Sequence, residues 1–532
     1  MTVGHRTFRP GRDPRAVRQP GGPGRAAVAG RRTALVVGGG IAGLVAATVL
    51  AERGVAVTLM EAQDRLGGRV SAWPLSDGRT MSRGFHAFFR QYYNLRSLLR
   101  RVDPRLSMLR PVSDYPLQSA GGHSDSFAHL PLRPPLNLIG FVARSPSFNL
   151  RTLAGVDVRT ALELMTPVFP EAFARYDGES AASFLDRLRF PEQARHLALE
   201  VFSRSFFASP HDFAAGELVA MFHAYFTGSA EGLLFDVAAD DYDTALWAPL
   251  GRRLAGLGVD VRTSARVTNL DLGDPIEVGY VNETSGAAGS ERPDGLVLAT
   301  DARGLRRLVA TARHADPDWA EGVGRMADAP PFGVLRLWLD RPVDADRPAF
   351  LGTSGYGLLD NISVLERFEA GAAEWASRTR GSVVEVHAYA LDGEAAASPD
   401  TVQERLRTEL ARVYPETAGA GVSAQEWLLR DDCSYPSADV PWADRPGVRT
   451  PNERVLLAGD GIRCELPVAL MERAATTGMQ AANALLAGWH TAGHDVWSVP
   501  TRGLLARPRP LHPRSAQSGD SPRARSSNRR SA

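Results

Sequence analysis

The segment from residue 34 to residue 69 constrains the fold of this 532-residue chain most strongly, because two glycine turns enclose a strand–helix–strand pattern there. Ala34–Val37 is a short apolar run typical of a buried parallel strand. Gly38, Gly40 and Gly43 follow with G-x-G-x-x-G spacing. The first glycine permits a tight turn, the second lets a pyrophosphate approach the backbone, and the third lets the next helix pack closely. This order predicts a dinucleotide-binding unit.

The rest of the segment completes that unit. A helix predicted over residues 42–53 points its N-terminal amides and the positive end of its dipole at the phosphates. The next predicted strand, 55–60, ends at Glu61, where an acid can accept hydrogen bonds from ribose hydroxyls. We therefore predict that this part of the cofactor site comprises Gly38, Gly40, Ile41, Ala42, Gly43, Glu61 and Ala62.

A second glycine turn, Leu66–Arg69, follows the ribose acid. Gly67 and Gly68 permit another close approach of the backbone, and the planar guanidinium of Arg69 can pair with a pyrophosphate. An NAD dehydrogenase does not need this turn, so the segment favours FAD. Together with Arg65 it matches the R-x-G-G-R element of the flavin-dependent amine oxidase and carotenoid desaturase superfamily, which the chain resembles.

Composition limits the class of protein. Hydrophobic residues make up 44% and charged residues 23% of the chain, as in a globular protein large enough for more than one lobe. No apolar run reaches membrane-spanning length, and Cys433 and Cys464 fit neither a disulfide framework nor a metal site. We expect a cytoplasmic protein without a metal or a nucleic acid partner. Arg31-Arg32 imitates an export signal, but cleavage after it would remove the first strand and helix.

Positive charge is concentrated at the two ends of the chain. Residues 1–32 hold eight arginines and Asp13, and residues 500–532 hold eight arginines and Asp520, so each end carries +7. Both ends are rich in Pro, Gly, Ser and Arg, so we expect them to be disordered. They are either simply solvated or weakly attracted to anionic lipid at the inner face of the cell membrane.

Later apolar runs predict that the nucleotide-binding lobe is discontinuous. Residues 294–300 are typical of another buried strand, with Asp301 as the cap of a helix at 305–310, and residues 259–270 indicate paired strands. The predicted fold class is α/β: a Rossmann-like FAD-binding lobe with a parallel sheet and flanking helices, plus a mixed α+β substrate lobe with a helical, aromatic-rich insertion. The predicted boundaries are a disordered extension (1–32), FAD-binding parts (33–100, 251–331 and 443–490), a helical insertion (101–250), substrate-lobe strands and helices (332–442) and a disordered tail (491–532).

Two later elements complete the predicted FAD site. An apolar run precedes Gly459 and Asp460, which would lie at the carboxyl end of a strand, where open α/β sheets bind ligands. The resemblance places Asp460 on the ribityl or phosphate end of FAD and Val267 against the adenine. It places Leu470 and Met471, at the start of the next predicted helix, beneath the isoalloxazine ring. A helix N-terminus there would stabilise negative charge on reduced flavin.

Three segments are candidates for the substrate site. Residues 184–235 hold ten aromatic residues, which form either a helical core or the wall of an apolar tunnel. The proline-broken apolar run 131–143 is either a surface loop or a membrane contact at which a lipid-soluble substrate enters. Residues 78–89 resemble the loop that passes the flavin in the superfamily, so Arg83 and His86 become candidate catalytic residues.

Longer runs narrow the resemblance to the actinobacterial isorenieratene synthases, or carotenoid φ-ring synthases. Three runs carry it: 82–104, 199–207 and 229–250. It covers about residues 30–490 and implies a β-carotene-type substrate whose ring loses four hydrogens while a methyl group moves from C1 to C2. Such a site must be dry and poor in nucleophiles, and it needs a proton acceptor. His86, Glu465 and Glu472 are the candidates, and the residues leave the choice among them open.

Other functions fit the same frame. A flavin amine oxidase would share it, but this chain contains no lysine to hold a water near the flavin N5. A carotenoid cis–trans isomerase or another carotenoid desaturase is the nearest rival. A non-catalytic carotenoid-binding flavoprotein is a further hypothesis. The residues do not indicate whether a quinone or oxygen is the electron acceptor, or whether one or both carotenoid rings react.

Overall fold

A computed structural model of the chain describes residues 13–148, 153–191, 194 and 206–507. Within these ranges the strands are, in chain order, β1 (Val17–Gln19), β2 (Thr33–Val37), β3 (Ala56–Met60), β4 (Ala72–Pro74), β5 (Thr80–Ser82), β6 (Phe88–Phe89), β7 (Leu109–Pro111), β8 (Pro116–Ser119), β9 (Ser124–Ser126), β10 (Phe235–Ala238), β11 (Asp260–Arg262), β12 (Ala265–Asp271), β13 (Glu277–Asn282), β14 (Ala288–Glu291), β15 (Gly295–Leu298), β16 (Ala327–Asp328), β17 (Phe332–Leu339), β18 (Phe350–Ser354), β19 (Asn361–Val364), β20 (Ser382–Ala388), β21 (Val422–Arg430), β22 (Ser434–Tyr435), β23 (Val455–Leu457) and β24 (Val496–Ser498). The helices are α1 (Ile41–Ala51), α2 (Tyr93–Arg100), α3 (Leu136–Arg144), α4 (Val158–Glu163), α5 (Glu171–Arg175), α6 (Ala181–Leu188), α7 (Ala215–Phe222), α8 (Ala248–Gly256), α9 (Ala302–Ala310), α10 (Pro317–Gly324), α11 (Ala370–Thr379), α12 (Gly393–Ala397), α13 (Pro399–Val413) and α14 (Leu470–Gly488).

The first lobe is built on a five-stranded parallel sheet with the strand order β11-β3-β2-β15-β23. Its central strands read as continuous apolar runs because both faces are covered, by α1 and α14 on one side and by α9 with the β12–β14 meander on the other. All residues of α1 are buried. The two helices cross closely at Gly478 of α14, where a Cβ would lie 2.3 Å from the carbonyl oxygen of Ala42.

The second lobe contains a seven-stranded mixed sheet with the order β21-β17-β20-β19-β18-β8-β9. Side chains on its inner strands alternate between two buried faces, as the pleat of a strand requires. On β20, Val384 and Val386 pack with α13, whose Leu406 and Leu410 are buried against this face of the sheet. The alternate positions of β17 and β20 place three buried polar residues on the opposite face: Arg336, Glu385 and His387. That second face turns toward the first lobe and supplies part of the cavity described below.

The predicted α/β class with a discontinuous nucleotide-binding lobe is confirmed by this arrangement, and so is the cap at Asp301, whose side chain accepts from the Gly304 N–H. Residues 259–270 were wrongly predicted as paired strands. β11 instead extends the parallel sheet beside β3, whereas β12 pairs with β13 in the separate meander. The insertion 101–250 is also less helical than predicted, because β8 and β9 form an edge of the seven-stranded sheet.

The predicted disorder of 1–32 and 491–532 is wrong for the parts that the structure describes. β1 and β24 form an antiparallel pair, so backbone hydrogen bonds join segments near opposite ends of the chain. Asp13 is buried and accepts hydrogen bonds from the Tyr93 and Ser229 hydroxyls. Composition cannot reveal this order, since it arises from pairing between segments far apart in the sequence. Residues 1–12 and 508–532 lie outside the described residues.

Candidate active site

A single cavity of about 620 Å³ extends from the carboxyl edge of the parallel sheet to the polar face of the seven-stranded sheet. Nearly all the residues predicted to bind the cofactor line it: Gly38, Gly40, Ile41, Ala42, Glu61, Ala62, Gly67, Gly68, Arg69, Val267, Gly459, Asp460, Leu470 and Met471. Gly43 does not line the cavity. A Cβ there would lie 1.9 Å from the carbonyl oxygen of Gly38, so this glycine permits the close packing of α1 on the first turn.

The glycines of the first turn differ in what they permit. Gly38 has a φ of +111°, and a Cβ there would lie 2.4 Å from the carbonyl oxygen of Ala299 on the neighbouring strand. Gly40 has a φ of −77°, which any residue adopts, and its closest neighbour to an added Cβ is the Gly68 Cα at 4.0 Å. No protein atom therefore fills the space beside Gly40. It forms a cradle between the two glycine turns that suits a pyrophosphate.

Glu61 ends β3 at the sheet edge of the cavity. Its two carboxylate oxygens accept from the backbone N–H groups of Gly39, at 2.6 Å, and Gln63, at 2.8 Å. Burial raises the pKa of this carboxyl, and the two backbone hydrogen bonds act in the opposite direction. The acid is thereby fixed in position beside the cradle.

An ion pair lies where the two glycine-rich elements meet. Arg69, after the second turn, contacts the carboxylate of Asp460, which follows β23 and Gly459. Burial disfavours the charged guanidinium, but Asp460 outweighs burial and raises the pKa of Arg69. Gly67 has a φ of +102° and packs on the Trp247 ring. Both charged groups line the cavity between the cradle and the start of α14.

The start of α14 closes this part of the cavity. Leu470 and Met471 line the cavity, and no side chain caps the first turn of the helix within the described chain. Leu470 adopts a φ of +53°, which is rare for a residue with a branched side chain. Backbone strain of this kind clusters at ligand sites, where the surrounding structure holds it in place.

The opposite end of the cavity is lined by aromatic rings. Phe85 stacks on Phe350 with centroids 4.2 Å apart, and the edge of Phe235 meets Phe85 at 5.6 Å. Tyr115 lies 5.3 Å from both Phe235 and Phe350. Two of these rings lie on strands, β10 and β18, and two lie in loops, and all four are distant from one another in sequence. No run of aromatic residues in the sequence could therefore predict this cluster. The result is an apolar compartment that continues from the cofactor end.

The segment 184–235 forms mainly core and only partly cavity wall. Phe207 and Phe235 line the cavity, whereas Phe184, Phe213 and Phe226 are fully buried in packing against helices. Phe190, Phe206, Phe222 and Tyr225 likewise belong to the core or pack against it. Phe202 lies outside the described residues. A core and a tunnel wall use the same side chains, which is why the sequence left these two interpretations open.

Both residues predicted from the loop at 78–89 line the cavity. Arg83 forms an ion pair with Asp432, so its charge is already balanced. The Nδ1 of His86 lies 2.9 Å from the carbonyl oxygen of Gly84. Because a carbonyl only accepts, Nδ1 carries the hydrogen. Burial lowers the pKa of His86 to about 4, so the ring is neutral and Nε2 is its basic nitrogen.

The two glutamates predicted as proton acceptors do not line the cavity. Glu465 is exposed to solvent. Glu472 is buried, but its carboxylate accepts from the backbone N–H groups of Asn94 and Leu95 and so holds the start of α2. Burial raises the pKa of Glu472 to about 8. Helix geometry explains the error, since a residue two positions after Leu470 points away from a ligand at the helix end.

A polar chain that sequence reasoning missed lies on the cavity face of β20. It runs from Glu385 through His387 to Tyr389, and the last two residues line the cavity. Gly84 makes this possible, because a Cβ there would lie 2.8 Å from the His387 ring. The alternation E-V-H-A-Y was available as a signal.

Other classes of site are not indicated by the described residues. They contain no cluster of His, Cys, Asp and Glu arranged to hold a metal ion. Among the helices in the described ranges, none has both the length and the apolar character needed to span a membrane.

Comparison with known proteins gives a consistent result. The family described as flavin containing amine oxidoreductase matches residues 41–486. Carotenoid phi-ring synthase from Streptomyces griseus is 54% identical over 510 residues, which cover 94% of this chain and 97% of that protein. The protein of the same name from Chlorobaculum tepidum is 26% identical over 603 aligned residues, covering 89% of this chain and 91% of that protein.

Among solved structures, cyclohexylamine oxidase from Brevibacterium oxydans matches with a TM-score of 0.62 at 15% identity. The match covers 86% of this chain and 99% of that chain. At such low identity the likeness shows the fold alone.

Proposed function

Because this chain belongs to the flavin containing amine oxidoreductase family, we propose that it converts a carotenoid β-ring into an aromatic φ-ring as a step of carotenoid biosynthesis. One observation carries the proposal: a continuous cavity joins a dinucleotide-binding sheet edge to an apolar compartment walled by aromatic rings. The 54% identity to a carotenoid phi-ring synthase supports the choice of substrate. The chain is an FAD-dependent oxidoreductase, as the sequence predicted.

The residues around the cradle fit FAD. In this proposal Gly40 and Gly68 face the pyrophosphate, Glu61 receives the adenosine ribose, and Val267 contacts the adenine. Asp460 and Arg69 would hold the phosphate and ribityl portion, and the start of α14 would contact the isoalloxazine ring. When bound, FAD would accept one hydride at a time, so aromatisation of one ring needs two hydride transfers, with reoxidation by an external acceptor such as a quinone or oxygen between them.

The aromatic compartment suits a reaction that passes through a carbocation. Methyl migration from C1 to C2 requires positive charge on the ring, and water or another nucleophile would trap that charge. Phe85, Phe235 and Phe350 line this part of the cavity, and in our proposal their rings keep water away from that charge. Cys433 is the cavity-lining thiol among the described residues, and burial raises its pKa to about 11, so it remains a neutral thiol.

His86 is our proposal for the acceptor of the first proton. Removal of four hydrogens from one ring releases two hydrides and two protons, so each desaturation needs a base. The neutral His86 ring has a basic Nε2 and lies on the loop that lines the cavity. We assign Arg83, paired with Asp432, a role in fixing that loop.

We further propose that an exposed apolar patch on and beside α3 contacts an anionic membrane. The α3 patch consists of Leu132, Leu136 and Ile139, which are 50%, 57% and 58% exposed. Exposed Arg133 and Arg144 flank it and would face anionic headgroups. The patch connects to the cavity wall through a stack of rings in which Phe127 lies 5.4 Å from Tyr115 and 4.9 Å from Phe141. In this proposal a lipid-soluble substrate approaches the cavity from this side of the protein.

Vesicle binding tests the α3 patch. The double variant Leu136→Ser/Ile139→Ser should bind vesicles containing phosphatidylglycerol several-fold more weakly than the parent protein in a sedimentation assay. Val422→Ser removes an exposed apolar side chain elsewhere and should bind as the parent does. Equal binding by all three proteins would refute the membrane contact. A membrane position would also favour a quinone over oxygen as electron acceptor, which anaerobic turnover with added quinone can test.

Product analysis tests the proposed reaction. The protein is expressed in cells that accumulate β-carotene, and extracted carotenoids are examined by absorption and mass spectrometry. We expect products lighter by four hydrogens for each aromatic ring formed. A product of unchanged mass with altered geometry would instead identify an isomerase. Unchanged β-carotene beside protein that demonstrably holds FAD would contradict the proposal.

A further inference from the structure

The polar chain on β20 has the geometry of a proton relay. Glu385 Oε1 lies 2.9 Å from His387 Nε2, and His387 Nδ1 lies 2.6 Å from the Tyr389 hydroxyl. The amide of Asn361 donates to the same hydroxyl at 2.9 Å. Glu385 is fully buried behind the other two residues, which line the substrate end of the cavity. The chain therefore connects the cavity with a buried carboxylate.

Arg336 fixes the direction of these hydrogen bonds. Its Nη2 and Nε atoms donate to Glu385 at 2.7 and 2.9 Å. Burial alone would raise the pKa of Glu385, but Arg336 and His387 outweigh it and lower that pKa to about 2. An ionised carboxylate only accepts, so His387 Nε2 carries a hydrogen and Nδ1 receives the Tyr389 O–H. The backbone N–H of Phe85 lies 3.3 Å from the same Nε2, but it cannot donate to a nitrogen that already carries a hydrogen.

The Tyr389 oxygen retains a free acceptor position in this arrangement. A phenol oxygen has two lone pairs and one hydrogen. The hydrogen goes to His387 and one lone pair receives the Asn361 amide. Burial raises the pKa of Tyr389 well above its ordinary value, so the group is a neutral phenol. Phe207 meets the ring edge-on, with the centroids 4.8 Å apart.

We propose that Tyr389 is a catalytic residue that accepts the last proton of the aromatisation, with His387 and Glu385 as positioning residues behind it. This inference rests on the proposed function. After hydride loss from C2 and migration of the methyl group from C1, the positive charge is on C1. The C2–H bond then breaks, and its electron pair forms the C1=C2 double bond. The proton goes to the Tyr389 oxygen while the Tyr389 hydroxyl proton passes to His387 Nδ1, and Glu385 stabilises the imidazolium.

In this proposal the two protons released from one ring are accepted by two different residues. His86, on the loop at 83–89, serves the first desaturation, and Tyr389 serves the step after methyl migration. Loss of Tyr389 should therefore block the reaction after the first two hydrogens have left the ring. Loss of His86 should block it before any hydrogen leaves. This difference makes the product mixture the most informative readout.

The test compares Tyr389→Phe with Tyr414→Phe in the FAD-loaded full-length protein, using β-carotene in detergent micelles. Tyr414 is a buried tyrosine outside the cavity whose hydroxyl has no hydrogen-bond partner among the described residues, so Tyr414→Phe should behave as the parent. Tyr389→Phe should retain FAD and be reduced by substrate anaerobically at the parent rate. Its formation of aromatic rings should fall at least about 100-fold, while rings lacking two hydrogens accumulate.

A second variant tests the positioning residues. His387→Gln can hold the Tyr389 hydroxyl but cannot take up its proton, so it should give the same accumulation of partly desaturated rings with an unchanged KM. Aromatic rings formed by Tyr389→Phe at a rate within threefold of the parent would overturn the relay and leave the proposed function standing. A parent protein that leaves β-carotene unaltered would overturn the proposed function itself.

Discussion

The two ends of the cavity are built on different principles. At the cofactor end, backbone shape dominates: two glycine turns, one helix start and the edge of a parallel sheet form a cradle with few side chains. At the substrate end, side chains dominate: rings from β10, β18 and the loop at 83–89 meet polar groups of β20. The cofactor end is therefore sensitive to any added atom. The substrate end tolerates changes in shape but depends on the chemistry of a few groups.

The largest effect is expected where backbone packing is tightest. Gly43→Val would place a Cβ 1.9 Å from the carbonyl oxygen of Gly38, so α1 must move away from the sheet. We expect loss of bound FAD and destabilisation by about 3 kcal/mol or more, measured by flavin absorption and urea unfolding. Gly256→Ala, in α8, has no heavy atom within 4 Å of the added Cβ and should match the parent. A folded, yellow Gly43→Val protein would contradict the packing described here.

Gly40→Val separates cofactor binding from folding. The backbone at Gly40 suits any residue and an added Cβ meets no protein atom closer than 4.0 Å. The variant should unfold at the same urea concentration as the apo parent, yet fail to bind FAD because its side chain fills the cradle. Titration with FAD, followed by quenching of flavin fluorescence, measures this. Binding at parent affinity would mean that the pyrophosphate does not lie beside Gly40.

The ion pair at the cofactor end should have an intermediate effect on FAD binding. Arg69→Gln removes the charge that pairs with Asp460 and, in our proposal, faces the phosphates. A hydrogen bond between charged groups contributes about 1.5–3 kcal/mol, so FAD affinity should fall roughly 10- to 100-fold. Arg65→Gln, in the same segment and paired with exposed Asp64, is the control and should keep parent affinity. Equal affinity for all three proteins would remove Arg69 from the site.

The substrate end should respond in KM rather than in FAD content. Phe85→Leu removes the stack on Phe350 and the edge contact with Phe235. Such aromatic pairs contribute about 0.5–1.5 kcal/mol, so KM for the carotenoid should rise roughly 2- to 10-fold. Phe184→Leu changes a buried ring outside the cavity and should lower thermal stability without changing KM. If Phe85→Leu also lost FAD, this would contradict the assignment of Phe85 to the substrate end alone.

The smallest effect concerns the buried charges beneath the substrate end. Burial raises the pKa of Glu369 to about 7, with Glu385, Asp240 and Asp241 acting in the same direction and Arg336 opposing them. An unfolded glutamate titrates near pH 4.3, so stability from the protonated form is complete below that pH and is lost as pH rises through about 7. The Tm of the parent should therefore fall relative to Glu369→Gln between pH 5 and 8. Glu374→Gln, at an exposed position of α11, should follow the parent.

The contrast also explains what the sequence could predict. The cofactor end lies mostly in one segment, where Gly38 to Arg69 carry the spacing that a cradle requires. Gly459 and Asp460 were predicted from the apolar run before them, and Val267 from the resemblance. The substrate end was largely missed. Phe350 and Tyr389 reach the cavity only through pairing of strands far apart in the chain, and local sequence contains no record of that pairing. Glu472 shows the converse error, since closeness in sequence to Leu470 did not place it in the cavity.

Anaerobic mixing of the purified FAD-loaded protein with β-carotene tests the central claim most directly. If one cavity brings the cofactor and a carotenoid ring together, the flavin absorption band must bleach as the ring loses hydrogens. Mass spectrometry of the quenched mixture should then show a carotenoid lighter by two hydrogens for each flavin reduced. Flavin that stays oxidised while the carotenoid is demonstrably bound would contradict the account.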